Sequence, residues 1–175
     1  RFLILAFAIK FSLEEFSQEM RKRIFLIWSI IFFTVSFDLI FELTFGFDIL
    51  GNYSYMPGRL SGFLGKELKI GNWYFGFGLI VASFVYHNFK KDYFFYLFVI
   101  VSILISFAIG ERANFIKYFL VTSIFCIFYK RKFFLKKFFS FVLVIALLSG
   151  TILTNNSYKE RFWSMFLEQF NRGLS

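Results

Sequence analysis

The amino-acid sequence predicts an all-α, polytopic transmembrane helix bundle with five full spans and one partial N-terminal span. Hydrophobic residues make up 58% of the 175 residues, and aromatic residues make up 25%. A soluble domain of this length has too little interior to bury so much apolar surface. The apolar residues also fall into blocks near the length that crosses a bilayer, with the charged residues between them. These observations favour membrane helices over a soluble fold.

The predicted spans follow the apolar blocks in chain order. They are 2–9, which is partial, and then 24–45, 70–88, 93–109, 113–129 and 138–154. No block alternates apolar and polar residues as a strand would. The chain begins with Arg1 and enters an apolar run at once, so we expect residues 1–175 to be one transmembrane domain within a longer protein.

The lysine and arginine residues of the loops predict the orientation. Loops 10–23, 89–92 and 130–137 contain 11 of these cations in 26 residues. Loops 46–69, 110–112 and 155–175 contain 7 in 48 residues. Cytoplasmic loops are the ones enriched in lysine and arginine, so we expect the first set to be cytoplasmic. The net charge of +9 then follows from topology, and no nucleic-acid partner is expected.

Arg59 lies in the long non-cytoplasmic loop 46–69, between Gly58 and Gly62. Glycine lets backbone approach a ligand closely, and arginine binds phosphate or carboxylate through a planar fork of donors. The pattern therefore suggests an anion site. A solvated arginine among turn glycines is the alternative, and the residues alone leave both open.

Arg112 lies on the same side, at the start of the predicted span 113–129. The free N–H groups of a helix N-terminus and an arginine together favour an anion. In the alternative, Glu111 caps the helix and pairs with Arg112. Lys117 lies five residues after Arg112, about 7.5 Å further along the helix at 1.5 Å per residue. Its side chain could add charge to the site, but extension outward along its stem is the simpler interpretation.

Asp38 and Glu42 are the two carboxylates inside an apolar span, and their spacing places them on one helix face. Acidic residues in a membrane face protein or water and often have a partner cation. We expect Asp38 and Glu42 to pair with Arg59 or Arg112. In the alternative, the two carboxylates lie at the membrane interface in contact with water.

Glu67 and Glu111 are further carboxylates on the non-cytoplasmic side. His87 is expected at the opposite, cytoplasmic end, and the single cysteine, Cys126, permits no intrachain disulfide. No metal or cofactor is expected.

Four short runs follow one another along the chain. They are Phe37-Asp38-Leu39-Ile40-Phe41-Glu42, Phe45-Gly46-Phe47-Asp48-Ile49-Leu50-Gly51, Arg59-Leu60-Ser61-Gly62-Phe63 and Gly110-Glu111-Arg112. In order, spacing and side of the membrane, they resemble the bacterial O-antigen ligase and O-antigen polymerase superfamily over about residues 24–130.

The resemblance implies a metal-independent membrane glycosyltransferase of the bacterial inner membrane. Such enzymes transfer or polymerise an undecaprenyl-diphosphate-linked oligosaccharide at the periplasmic face, and Arg59 and Arg112 match the arginines that bind the diphosphate. In ligases a catalytic histidine lies in a large periplasmic loop, which would follow span 138–154. Here Arg161 is the only suggestive residue after that span, so we expect the catalytic group downstream and the fragment to be inactive. Ligase and polymerase are not separated, and a transporter or flippase for a lipid-linked sugar, or a non-catalytic scaffold, remains an alternative.

Overall fold

A computed structural model of the chain describes residues 15–54, 56, 58–67, 69–88, 92–128, 134–164 and 167. Over these residues the regular elements are helical, which confirms the all-α class. The only β-type pairings in this part of the chain are isolated bridges, between Phe47 and Tyr53 and between Met56 and Arg59. The predicted partial span 2–9 lies outside the described residues.

Five longer helices follow in chain order: α1 Gln18–Phe45, α2 Ile70–Asn88, α3 Asp92–Ala108, α4 Arg112–Phe128 and α5 Phe134–Thr154. Three short elements accompany them: a 3-10 segment Gly62–Glu67, a single turn α6 Asn156–Lys159, and a π-helical turn Glu160–Ser164. Helix α2 has the bounds of the predicted segment 70–88, and the helices α3 and α4 begin and end within one residue of 93–109 and 113–129.

Helix α1 begins six residues before the predicted segment 24–45. Ser17 caps it, because the Ser17 side chain accepts a hydrogen bond from the Met20 backbone N–H at 3.2 Å. The helix ends where Gly46 takes a left-handed conformation, with φ of 81°, and donates its N–H to the Glu42 carbonyl. The charged residues Arg21, Lys22 and Arg23, expected in a connecting loop, therefore lie in the first turns of α1.

Length and hydropathy together support one candidate membrane span among the described residues, helix α1. Helices α3 and α4 have 17 residues each, about 26 Å at 1.5 Å per residue, against about 30 Å of hydrocarbon. Helix α2 has 19 residues, but its asparagine, tyrosine, glycine and histidine residues lower its mean hydropathy. The five-span bundle expected from the sequence therefore goes beyond what these helices support.

Helix α2 is central, because it packs against α1, α3 and α4. Its Gly78 lies so close to the Tyr118 ring of α4 that an added Cβ would be 2.9 Å from that ring. The core contains two buried tyrosines with hydroxyl partners. Tyr118 donates to the Ser102 hydroxyl at 2.9 Å. The Tyr74 hydroxyl lies 3.4 Å from the Ser36 hydroxyl, which itself donates to the Phe32 carbonyl. Cys126, near the end of α4, is fully buried.

Candidate functional site

Two buried carboxylates of α1 hold the loop that follows this helix. Both oxygens of Glu42 accept the Ser61 backbone N–H at 3.1 Å, and Gly62 donates its N–H to one of them at 2.7 Å. Asp38 accepts the Ile49 N–H at 2.8 Å through Oδ1. We call Asp38 and Glu42 the anchor carboxylates. Their partners are backbone N–H groups and, for Glu42, also the Ser61 hydroxyl. The predicted pairing of Asp38 and Glu42 with Arg59 or Arg112 is therefore wrong for the described residues.

The sequence suggested an arginine partner because a carboxylate in an apolar helix needs compensation. Backbone N–H groups provide this compensation as charge-assisted hydrogen bonds, and residue types do not reveal it. Gly62 has φ of 52°, and an added Cβ there would be 3.3 Å from the second oxygen of Asp38. This oxygen is buried and has no protein hydrogen-bond partner among the described residues.

Asp48 is a third buried carboxylate, and sequence reasoning did not select it as a site residue. It is fully buried and accepts the Asn52 backbone N–H at 2.7 Å and the Asn52 side-chain amide at 3.0 Å. Gly51, with φ of 84°, completes this turn. The sequence signal was present, since Asp, Gly and Asn in close succession are typical of a turn closed by a side chain.

Arg59 forms an ion pair with Glu111. The distance from Arg59 Nη2 to Glu111 Oε1 is 2.6 Å, and the two side chains are 19% and 11% exposed. The same Glu111 oxygen accepts the Gly71 N–H at 3.2 Å, while the other accepts the Asn114 side-chain amide. Glu111 thus joins the loop after α1 to the first turns of α2 and α4.

Arg59 and Arg112 belong to two segments that are in direct backbone contact. Leu60 donates its N–H to the Ile109 carbonyl at 3.2 Å. Gly110 has φ of 77° and lies against the Gly58 carbonyl, where a Cβ would not fit. Arg112, half-buried, is the first residue of α4. The two arginines therefore lie at the same end of the bundle, although Glu111 pairs with Arg59 and not with Arg112 as one alternative expected.

The other selected residues are less central. Lys117 is exposed on α4, in agreement with an outward-directed side chain. Glu67 ends the 3-10 segment and Arg161 lies in the π-helical turn, and both side chains lie outside the described part of the structure. His87 lies near the far end of α2, about 24 Å along the helix axis from Gly71, and its ring contacts that of Tyr86. Within the described residues, no cluster of three or more His, Cys, Asp or Glu side chains could hold a metal ion.

The comparisons with known proteins give no further guide to this site. Neither protein-family models, nor curated proteins, nor solved structures gave a significant match to the chain.

Proposed function

We propose that the chain is a multi-spanning membrane protein of the O-antigen ligase or polymerase type. It would transfer or polymerise an undecaprenyl-diphosphate-linked oligosaccharide at the periplasmic face of the bacterial inner membrane, with its short basic loops in the cytoplasm. Arg59 and Arg112 would bind the diphosphate of the carrier. The proposal requires no metal or cofactor.

The membrane part of the proposal is supported by α1 and by its surface. Large apolar side chains such as Ile27, Ile30, Phe33 and Phe37 are about half-exposed or more on this helix. Water disfavours so extensive an apolar surface, whereas lipid tails accept it. Exposed leucine, isoleucine and phenylalanine side chains also occur on α3 and α4, which supports membrane contact by these helices as well.

The observation that carries the anion-binding part is the Arg59–Glu111 pair. A guanidinium group that holds a carboxylate at 2.6 Å in a largely buried position can also hold a phosphate oxygen, because both anions accept the same fork of N–H donors. Arg112 and the N-terminus of α4 add positive potential beside this pair. Negative charge develops on the diphosphate when the glycosidic bond breaks, and fixed arginines would stabilise it.

The described contacts favour this proposal over a transporter or flippase. In that alternative, Asp38, Glu42 and Lys117 would line a path through the bundle. The anchor carboxylates instead bind loop backbone, and Lys117 is exposed on the helix surface. A non-catalytic scaffold would require no affinity for diphosphate, and this distinguishes it from the proposed function.

Diphosphate binding by the purified chain in neutral detergent tests the proposal, with farnesyl diphosphate as a soluble probe. Each charge-assisted hydrogen bond contributes about 1.5–3 kcal/mol, so Arg112→Ala should weaken binding roughly 10- to 150-fold. Arg59→Ala should do the same, and Arg59→Lys should restore only part of the affinity because lysine lacks the planar fork. Lys117→Ala is the matched control, because it removes an exposed cation from the same helix as Arg112.

Two results of the binding measurement would contradict the proposal. One is wild-type affinity in both arginine variants while their helix content is unchanged. The other is an equal loss in Lys117→Ala, which would indicate a general charge effect without a defined site. In cells whose glycan assembly depends on this protein, normal glycan chain length or normal ligation in Arg112→Ala would argue against a transferase, even if diphosphate binding were lost.

A further inference from the structure

A basic cleft lies at the opposite end of the bundle from Arg59. Its volume is about 660 Å³, and it separates the first turns of α1 from the last turns of α2. Arg21, Lys22 and Phe25 line it from α1, and Phe84, His87 and Asn88 line it from α2. We call this space the basic cleft.

The length of α1 sets the depth of the basic cleft in a bilayer. The helix has 28 residues, about 42 Å at 1.5 Å per residue, whereas the hydrocarbon layer is about 30 Å thick. Its apolar run begins at Ile24, so the charged turns before it extend about 9 Å beyond the apolar part. With α1 across the bilayer, as proposed above, the mouth of the basic cleft lies at the level of lipid headgroups.

The cations of the basic cleft have no carboxylate partner among the described residues. Arg21 and Lys22 lie near the N-terminus of α1, where a cation opposes the helix dipole. The acidic residue of that first turn, Glu19, does not line the cleft. The half-buried Arg21 and the exposed Lys22 both line this space, and their charges attract an anion into it.

The inner part of the basic cleft is apolar. The rings of Phe25 and Phe84 are stacked there, with their centroids 6.1 Å apart. A molecule that fits both parts has a phosphate at one end and a hydrocarbon chain at the other. A free phosphate ion would use only the cationic mouth.

We propose that the basic cleft binds the headgroup of an anionic phospholipid. Its phosphate lies between Arg21 and Lys22, and the first part of an acyl chain packs on Phe25 and Phe84. One N–H of the Asn88 side-chain amide donates to the Phe84 carbonyl at 2.9 Å, and the second is a further donor for the phosphate. Basic pockets between helices at the cytoplasmic side of a membrane bind such headgroups. This site is independent of the proposed diphosphate site, since it lies at the other end of α2.

Native mass spectrometry of the detergent-solubilised chain tests this proposal. The probes are dioctanoyl phosphatidylglycerol, dioctanoyl phosphatidylcholine and inorganic phosphate. Wild-type chain should retain the phosphatidylglycerol and not the other two. Each basic residue near a headgroup changes binding about fivefold, so Arg21→Gln with Lys22→Gln should weaken it on the order of 25-fold. Ser83→Trp, which fills the cleft without a change of charge, should also abolish binding.

Arg23→Gln is the matched control. It removes the same charge from the same helical turn, but Arg23 does not line the basic cleft. Its affinity should stay within about threefold of wild type. Equal losses in Arg23→Gln and in the double variant would overturn the proposal, as would wild-type affinity in Ser83→Trp. Binding of inorganic phosphate at the same concentration as the lipid would assign the cleft to a soluble anion instead.

Discussion

Replacement of Glu42 by alanine should release the loop after α1. In the structure, the Glu42 side chain is 2% exposed and accepts the backbone N–H groups of Ser61 and Gly62 as well as the Ser61 hydroxyl. Alanine removes the acceptor and leaves two buried N–H groups without one. Each such group costs about 1–3 kcal/mol, so the closed loop loses roughly 2–6 kcal/mol.

Local opening limits this loss, because a detached loop exposes both N–H groups to water. We therefore expect a modest decrease in the melting temperature and a large increase in loop accessibility. Trypsin cleavage after Arg59 measures that accessibility directly, since the Arg59 side chain is only 19% exposed and is paired with Glu111 in the closed state. Cleavage at this bond should be at least tenfold faster in Glu42→Ala, by the lower estimate of the loss.

Glu19→Ala is the matched control, because it removes an exposed carboxylate from the same helix. Glu42→Gln keeps the shape of the side chain and one acceptor oxygen. Its melting temperature and its cleavage rate after Arg59 should therefore lie between those of wild type and Glu42→Ala. If Glu42→Ala had the melting temperature and the Arg59 cleavage rate of wild type, the anchor role of Glu42 would be refuted.

Two further changes probe the packing around the site. Gly110→Ala should destabilise the chain by about 1–3 kcal/mol, because φ is 77° and the new Cβ would meet a loop carbonyl. Thermal unfolding measures this change. Gly150→Ala is the control and should not destabilise the chain, because Gly150 lies in helix α5 with open space around it and alanine favours a helix over glycine. Tyr118→Phe should cost about 1 kcal/mol through the lost bond to Ser102, a decrease of about 2–4 °C in melting temperature, whereas the exposed Tyr53→Phe should change little. No decrease for Tyr118→Phe would contradict a net contribution of this hydrogen bond.

The helices could be predicted from the sequence because apolar blocks and charged breaks are local signals. Residues 70–88 form α2 with the predicted bounds, since Lys69 before the block and Phe89-Lys90-Lys91 after it mark a change in composition. The start of α1 was missed because charged residues suggested a loop. A helix with a good cap, Ser17, tolerates such residues in its first turns.

The candidate site could be predicted only in part. The sequence selected Arg59, Arg112 and Glu111, and the structure brings the two segments that contain them into contact. It could not predict that Glu111 would pair with Arg59 across 52 positions, because this depends on the packing of the loop against the α3–α4 turn. The hydrogen bonds from backbone N–H groups to Glu42 could not be predicted either, because every residue type except proline has the same backbone N–H group.

The burial of Cys126 has a practical consequence for mapping the orientation of the chain. It is the only thiol in the sequence, and its lack of exposed surface makes it unreactive toward a membrane-impermeant maleimide. The unmodified chain should therefore not be labelled, and the native cysteine does not have to be removed first. A thiol introduced at an exposed position, by Tyr53→Cys or by Glu19→Cys, would then report which end of α1 faces the labelled side of sealed vesicles.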